Sequence, residues 1–160
     1  MRVTKKKIKE APQRNILIPI DFTDASRNAF RQALRFCRYG SRFILLHVIP
    51  SITQKGGKGS TLIAAAKRSL ASFAKNGHAR GVRSLRYDVR AGTPFQEILT
   101  AAQDNNVELI VVGVDSSGPF GGLALGHTAD RVSRYARCPV LLVRDVSTAA
   151  EAGSSVVTEA

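Results

Sequence analysis

Residues 111–132, VVGVDSSGPFGGLALGHTADRV, join an apolar run to a helix start through a loop of small residues. The run ELIVVG ends at Gly113, and Ala129, Asp130, Arg131 and Val132 read as the first turns of a helix. A buried strand that feeds a small-residue loop and then a helix N-terminus suits an anion. The first-turn N–H groups have no helical partner, and the helix dipole favours negative charge there. The same residues also suit a plain glycine-rich connection.

Working outward, the spans on either side repeat one pattern. NILIPID (15–21) and FILLHVI (43–49) are short, nearly continuous apolar runs, as are ELIVVG and PVLLV (139–143). Such runs fit strands covered on both faces, the habit of parallel sheets. Pro19 sits near the end of the first run, where a missing N–H matters little. Residues 82–89 alternate instead, which predicts a less buried strand at a sheet edge with its arginines at the surface.

Helices fill the gaps. After DFTDAS (21–26), Thr23, Asp24 or Ser26 is a candidate cap. Ala25, Ala29, Phe30, Ala33, Leu34 and Cys37 then fall on one helical face, and Arg27, Arg31, Arg35 and Arg38 lie largely on the other. Gly40 stops that helix. Residues 62–76 form an alanine-rich helix. Thr93 and Pro94 open a third, as N-cap and first helical residue, running to about Asn105. The last helix covers about 128–136. The order β-α-β-α-β-α-β-α-β predicts an α/β fold: a five-stranded open parallel sheet with helices on both faces. Ligands of such sheets bind beyond the carboxyl ends of the strands. The loops there are 21–23, 48–50 and 113–128.

Composition narrows the partners. The chain has 160 residues, which predicts one domain. Lys and Arg number 24 against 12 Asp and Glu, so a polyanion partner is compatible with the +12 net charge. The sequence has no Trp and shows no basic stripe interleaved with aromatics, so nucleic acid is not an expected partner, sequence-specific recognition least of all. Cys37 and Cys138 are far apart and read as two reduced structural thiols. No apolar run approaches membrane-spanning length, and the basic residues 1–14 are not followed by an apolar segment. A cytoplasmic protein without a membrane partner is expected, with residues 15–145 as the domain, a basic disordered tail at 1–14 and a disordered tail at 146–160. GGKGST (56–61) lacks the Walker A spacing, so that loop reads as a spacer. His47, alone inside an apolar run, fits a satisfied core histidine better than a ligand or base.

Across 15–144 the chain resembles the universal stress protein family. The likeness rests on four pieces in order: ILIPIDFTDAS (16–26), LLHVIP (45–50), AGTPFQEILTAAQDNNVELIVVG (91–113) and LGHTADRVSRYARCPVLLVR (125–144). It implies sheet order 3-2-1-4-5 in a Rossmann-like, adenine-nucleotide-hydrolase-like fold. It also implies a homodimer formed through the last strand, Pro139–Val143, and a role in stress response without a settled enzyme activity.

One branch of that family binds ATP through Gly, two residues, Gly, nine residues, then Gly followed by Ser or Thr. Gly113 and Gly126 fit the first and last glycines. Ser116 stands at the second, and His127, followed by Thr128, stands where Ser or Thr is expected. The other branch lacks the pattern and binds no ATP. By resemblance, Asp21 binds the ribose or adenine side and Pro19 and Ile20 line the base. Val48 offers main-chain hydrogen bonds to the adenine edge, and Val112 and Gly113 pack under the ribose. Ser116, Gly126, His127 and Thr128 hold the phosphates. Each residue also has a plainer reading: Asp21 as a helix cap, Val48 as core. For ATP hydrolysis Asp115 is the candidate Mg²⁺ ligand and His127 the candidate base. No pair has diagnostic spacing, so no catalytic residue is assigned.

Overall fold

The computed structural model of the chain describes residues 14–37, 40–50, 59–75, 84–115 and 125–144. Residues 1–13 and 145–160, the spacer loop before residue 59 and Ser116 lie outside the described residues; Arg14, expected in the tail, instead begins the first strand. Nine elements alternate along the chain: β1 (Arg14–Pro19), α1 (Asp24–Cys37), β2 (Ser41–Pro50), α2 (Gly59–Lys75), β3 (Ser84–Gly92), α3 (Pro94–Asp104), β4 (Leu109–Val114), α4 (His127–Tyr135) and β5 (Val140–Arg144). The strands form a single parallel sheet of order β3-β2-β1-β4-β5, the order implied by the resemblance. Element limits differ from the sequence expectation by a few residues. Asp21, expected at the end of the first strand, lies two residues beyond β1, in the turn that enters α1.

Alternation along each strand divides the core. Ile16, Ile18, Phe43, Leu45 and Val111 face Ala29, Phe30 and Ala33 of α1 and Leu70 and Ala74 of α2. Leu17, Ile44, Leu46, Ile110 and Val112 face Ile98, Ala101 and Ala102 of α3 and Ala129 and Val132 of α4. Burial on both faces is what makes the strands read as unbroken apolar runs. The expected edge strand, β3, is at the edge and only half-buried. Its Arg90 is tied to Asp104 at 2.9 Å, to Asp88 at 3.1 Å and to Glu97 at 4.0 Å, which fastens β3 to α3.

β1 and β4 are the point where the chain stops adding strands on one side and starts on the other. Their carboxyl ends, with the overhanging end of β2, bound the cleft described next.

Candidate functional site

Beyond the strand ends lies an open cleft of about 500 Å³. Pro19, Ile20, Asp21, Val48, Val112, Gly113, Asp115, Gly126, His127 and Thr128 all line it. Of the residues expected at a site, only Ser116 is outside the described residues. The volume falls in the range of small-molecule sites.

Each wall has a local cause. At the end of β1, Ile20 gives its N–H to the Leu46 carbonyl at 2.7 Å. Its own carbonyl accepts a hydrogen bond from His47 Nδ1 at 2.7 Å. A carbonyl only accepts, so Nδ1 carries the proton. His47 is therefore satisfied, as expected of a core histidine, yet it also borders the cleft and pins the turn that carries Asp21. The next residue, Phe22, has φ +67°, a left-handed conformation that a bulky side chain adopts only when held there. Its ring rests on His47 at 4.7 Å and meets Phe73 of α2 at 6.2 Å. The aromatic contacts supply the constraint, which no sequence pattern signals.

That turn aims Asp21 outward. Asp21 Oδ1 accepts the Thr23 N–H at 3.0 Å and the Thr23 hydroxyl at 2.6 Å. Of the three candidate caps, Thr23 caps α1: its Oγ1 accepts the Ser26 N–H at 3.3 Å, and its carbonyl accepts the Arg27 N–H at 3.0 Å. Partial burial pushes the Asp21 carboxyl up, but the hydrogen bonds from Thr23 and Ser26 outweigh it and hold the group below its ordinary value. Asp21 is thus both an exposed anion and the brace of the helix start.

Val48 lies on the overhang of β2. Pairing with β1 ends at Pro19 and Leu46, whereas pairing with β3 continues to Pro50 and Gly92. Leu46 turns its carbonyl toward β1. By the two-residue repeat of a strand, Val48 presents its main-chain groups to that same side, past the end of β1.

The two glycines of the expected phosphate pattern do different work. At Gly113 on β4, an added Cβ would lie 2.3 Å from the Ala25 carbonyl oxygen, 2.4 Å from its carbon and 2.8 Å from Ser26 N. Only glycine lets the first turn of α1 come this close to β4. At Gly126 an added Cβ would meet nothing within 4 Å. The requirement there is conformational: φ +75° and ψ 149° is a region that essentially only glycine occupies.

Gly126 is the N-cap of α4 and makes no side-chain cap bond, while its carbonyl accepts the Asp130 N–H at 3.0 Å. The N–H groups of His127, Thr128 and Ala129 precede the first intrahelical donor, and all three residues line the cleft. Arg131 stacks on Phe95 at 4.8 Å and so ties the first turns of α4 to α3. Thr93 holds the expected N-cap position of α3 but makes no side-chain cap bond; Pro94, which needs no N–H partner, follows it.

Asp115 follows β4 and is exposed at the cleft margin. Among the described residues no cluster of three or more His, Cys, Asp or Glu side chains is arranged to hold a metal. A Mg²⁺ carried by nucleotide phosphates needs fewer protein ligands, often one or two carboxylates. Asp115 fits that lesser role. Thr23, Pro50 and Leu125 also line the cleft, from loops expected at the strand ends, whereas sequence reasoning missed Ala25, Ser26, Leu46, His47, Pro94, Ile98 and Ala129 as lining residues. DFTDAS and the AGTP turn carried a signal, since each places a helix start directly after a strand end. His47 and Ile98 carried none beyond apolar spacing.

Fold and site together define a class: an open parallel α/β domain with a cleft at the switch point, one wall of which is a helix N-terminus. The chain belongs to the universal stress protein family, whose model matches residues 13–144. Universal stress protein MJ0531 of Methanocaldococcus jannaschii is 26% identical over 140 residues, 82% of each chain. Among solved structures, the hypothetical protein PH0823 is 30% identical with TM-score 0.70 over 84% of this chain and 97% of that one. A universal stress protein family protein of Arabidopsis thaliana with AMP bound shares the fold, at 19% identity and TM-score 0.61 over 89% of this chain and 97% of that one.

Proposed function

We propose that the cleft binds an adenine nucleotide, ATP with Mg²⁺ foremost, and that the protein is a nucleotide-binding regulator in stress response rather than a catalyst. The observation that carries this reading is the convergence of three recognition groups on one cleft: the Asp21 carboxylate, the main-chain edge at Val48 and the Gly126-capped N-terminus of α4. A nucleoside needs the first two, a phosphate chain the third. Pro19, Ile20 and Val112 supply apolar surface for the base and sugar. His127 and Thr128 offer N–H groups to phosphate, and Asp115 offers a carboxylate to the accompanying Mg²⁺. The fold neighbour with AMP bound supports the ligand class.

Native mass spectrometry of the purified protein, followed by thermal shifts with ATP, AMP and adenosine, tests the reading. Saturation at about 100 times Kd stabilises by about 2.7 kcal/mol, which raises the melting temperature by about 5–10 °C for a chain of this size. ATP should exceed AMP, and AMP adenosine, because α4 acts on phosphate. Removing Mg²⁺ should weaken ATP more than AMP. Asp21→Ala and Gly126→Val should each abolish the shift. No nucleotide on the purified protein and no shift at millimolar ATP with Mg²⁺ refutes the proposal.

A second feature favours output through a homodimer. β5 is the other sheet edge, and its Leu141 is 37% exposed. An apolar strand edge of this kind pairs with a second copy.

A further inference from the structure

Charge is divided unevenly between the two helical layers. From Ala25 to Tyr87 the sequence holds 13 Lys and Arg and no Asp or Glu, whereas residues 88–144 hold 5 Lys and Arg and 6 Asp and Glu. The acid-free span builds α1, β2, α2 and the start of β3, so the layer made by α1 and α2 is cationic and the α3–α4 layer is near neutral. Along α1, Arg27, Arg31 and Arg35 recur every four residues and are all exposed. They form a row about 12 Å long on one helical face. Like charges at this spacing destabilise a helix. Arg27 has a loose, exposed pair with Asp24 at 3.7 Å; among the described residues Arg31 and Arg35 have no acidic partner. Lys67, Arg68 and Lys75 of the neighbouring α2 are also exposed.

At the end of the row stands Phe36, 72% exposed, with the Arg35 guanidinium 5.9 Å from its ring centroid. A large aromatic this open has no role in the core. The helical spacing announces the arginine row in sequence; the packing of α1 beside α2 through Phe30 and Phe73 and the exposure of Phe36 are added by the structure.

We propose that the outer surface of α1 and α2 docks single-stranded nucleic acid without regard to sequence. Arg27, Arg31 and Arg35 contact phosphates, and an unstacked base rests on Phe36. An anionic membrane fits the charge but not the apolar pattern. The apolar face of α1, with Ala29, Phe30 and Ala33, is buried in the core and offers nothing to insert. The row starts beside the cleft, where Arg27 follows the lining residue Ser26, and runs away from it along α1, and none of Arg27, Arg31, Arg35 and Phe36 lines the cleft, so the proposal does not depend on ATP binding.

The test uses the full chain and a fluorescein-labelled 20-nucleotide oligo-dT or oligo-U, read by fluorescence anisotropy at 50 to 200 mM KCl. Three phosphate contacts give a log–log salt slope of about −2, a loss of roughly 20-fold in affinity over that range. Arg31→Glu with Arg35→Glu should weaken binding at least tenfold at 50 mM and flatten the slope to about −1 or less. Phe36→Ala should weaken it about fivefold or more with the slope unchanged. Arg134→Glu with Arg137→Glu makes the same charge change on the other layer and should leave binding near wild type. Circular dichroism and melting establish that each variant is folded. The basic residues before β1 are present in every variant, so their contribution is common.

Equal losses from the two double variants mean that net charge alone is responsible, and overturn the proposal. So does loss of oligonucleotide binding in Gly126→Val, which would seat the polyanion in the cleft. Capture by phosphatidylserine vesicles without oligonucleotide binding also overturns it.

Discussion

Replacing Gly113 by alanine adds one methyl group where there is no room for it. The new carbon would sit 2.3 Å from the Ala25 carbonyl oxygen, about 0.7 Å inside the 3.0 Å that real contacts respect. It would also crowd the Ala25 carbon and Ser26 N, so all three offending atoms are backbone. No rotamer change relieves them; the first turn of α1 must withdraw from β4. Overpacking of this kind costs about 1–3 kcal/mol, and the all-backbone contact argues for the upper half of that range. For a chain of this length the melting temperature should fall by about 5–10 °C. The withdrawal moves Thr23 and Ser26, the braces of Asp21, so nucleotide affinity should fall by tenfold or more even in the folded variant. Thermal melting, urea unfolding and titration with ATP read the two effects. A variant melting within about 1 °C of the parent would refute the close approach of α1 to β4, and with it this account of Gly113.

The second glycine gives a contrasting result. Gly126→Ala meets open space, so its cost of about 1–3 kcal/mol is backbone strain alone; if α4 relaxes to relieve it, stability recovers and ATP affinity falls about tenfold, as calorimetry would record. Asp21 yields a pH prediction. Its carboxyl lies below its ordinary value of 3.8 in the folded protein, so the unfolded chain binds more protons as the pH drops. Its contribution is complete above the ordinary value and disappears as pH falls through the lowered folded one; in acid titrations of stability, Asp21→Asn should show a shallower decline across that window, and an identical decline would refute the assignment. The proposed pairing through β5 predicts a dimer by light scattering that Leu141→Lys converts to a monomer while leaving the fold intact, because the residue is 37% exposed; a monomeric parent refutes that pairing. His47→Phe keeps a ring against Phe22 but leaves the Ile20 carbonyl without its donor. It should cost about 1–3 kcal/mol in urea unfolding, and a neutral result would show that the bond at 2.7 Å does not hold the turn.

What was legible in the sequence follows from how each feature is encoded. Strands buried on both faces must be apolar at every position, so β1, β2 and β4 announce themselves, and the half-buried β3 announces its edge by alternation. β5 misleads: its apolar run reads as covered on both faces, yet it is the other edge, with Val143 buried and Leu141 exposed. Parallel order then brings the ends of β1, β2 and β4 together, which is why the candidate site residues, drawn from four separate stretches, meet at one cleft. The particular job of a residue is less legible. Gly113 reads as a phosphate-loop glycine, but its missing side chain admits α1. His47 reads as core, but its Nδ1 anchors the turn bearing Asp21. Phe22 gives no hint of a positive φ, because the constraint comes from α2, 51 residues later in the chain at Phe73.

These three positions share a consequence for the site. Gly113 fixes α1 against β4, His47 fixes the end of β1 against β2, and Phe22 ties that end to α2. None of these side-chain choices needs a ligand to explain it, yet together they set where Asp21 stands relative to Gly126. The glycine pattern that marks nucleotide binding in sequence is therefore partly a pattern for building the cleft. A chain could keep Gly113 for packing after losing its ligand, whereas Gly126, open to solvent and strained for any other residue, has no packing reason to persist. Retention of Gly126 is accordingly the better single-residue indicator of function, and its substitution the sharper probe.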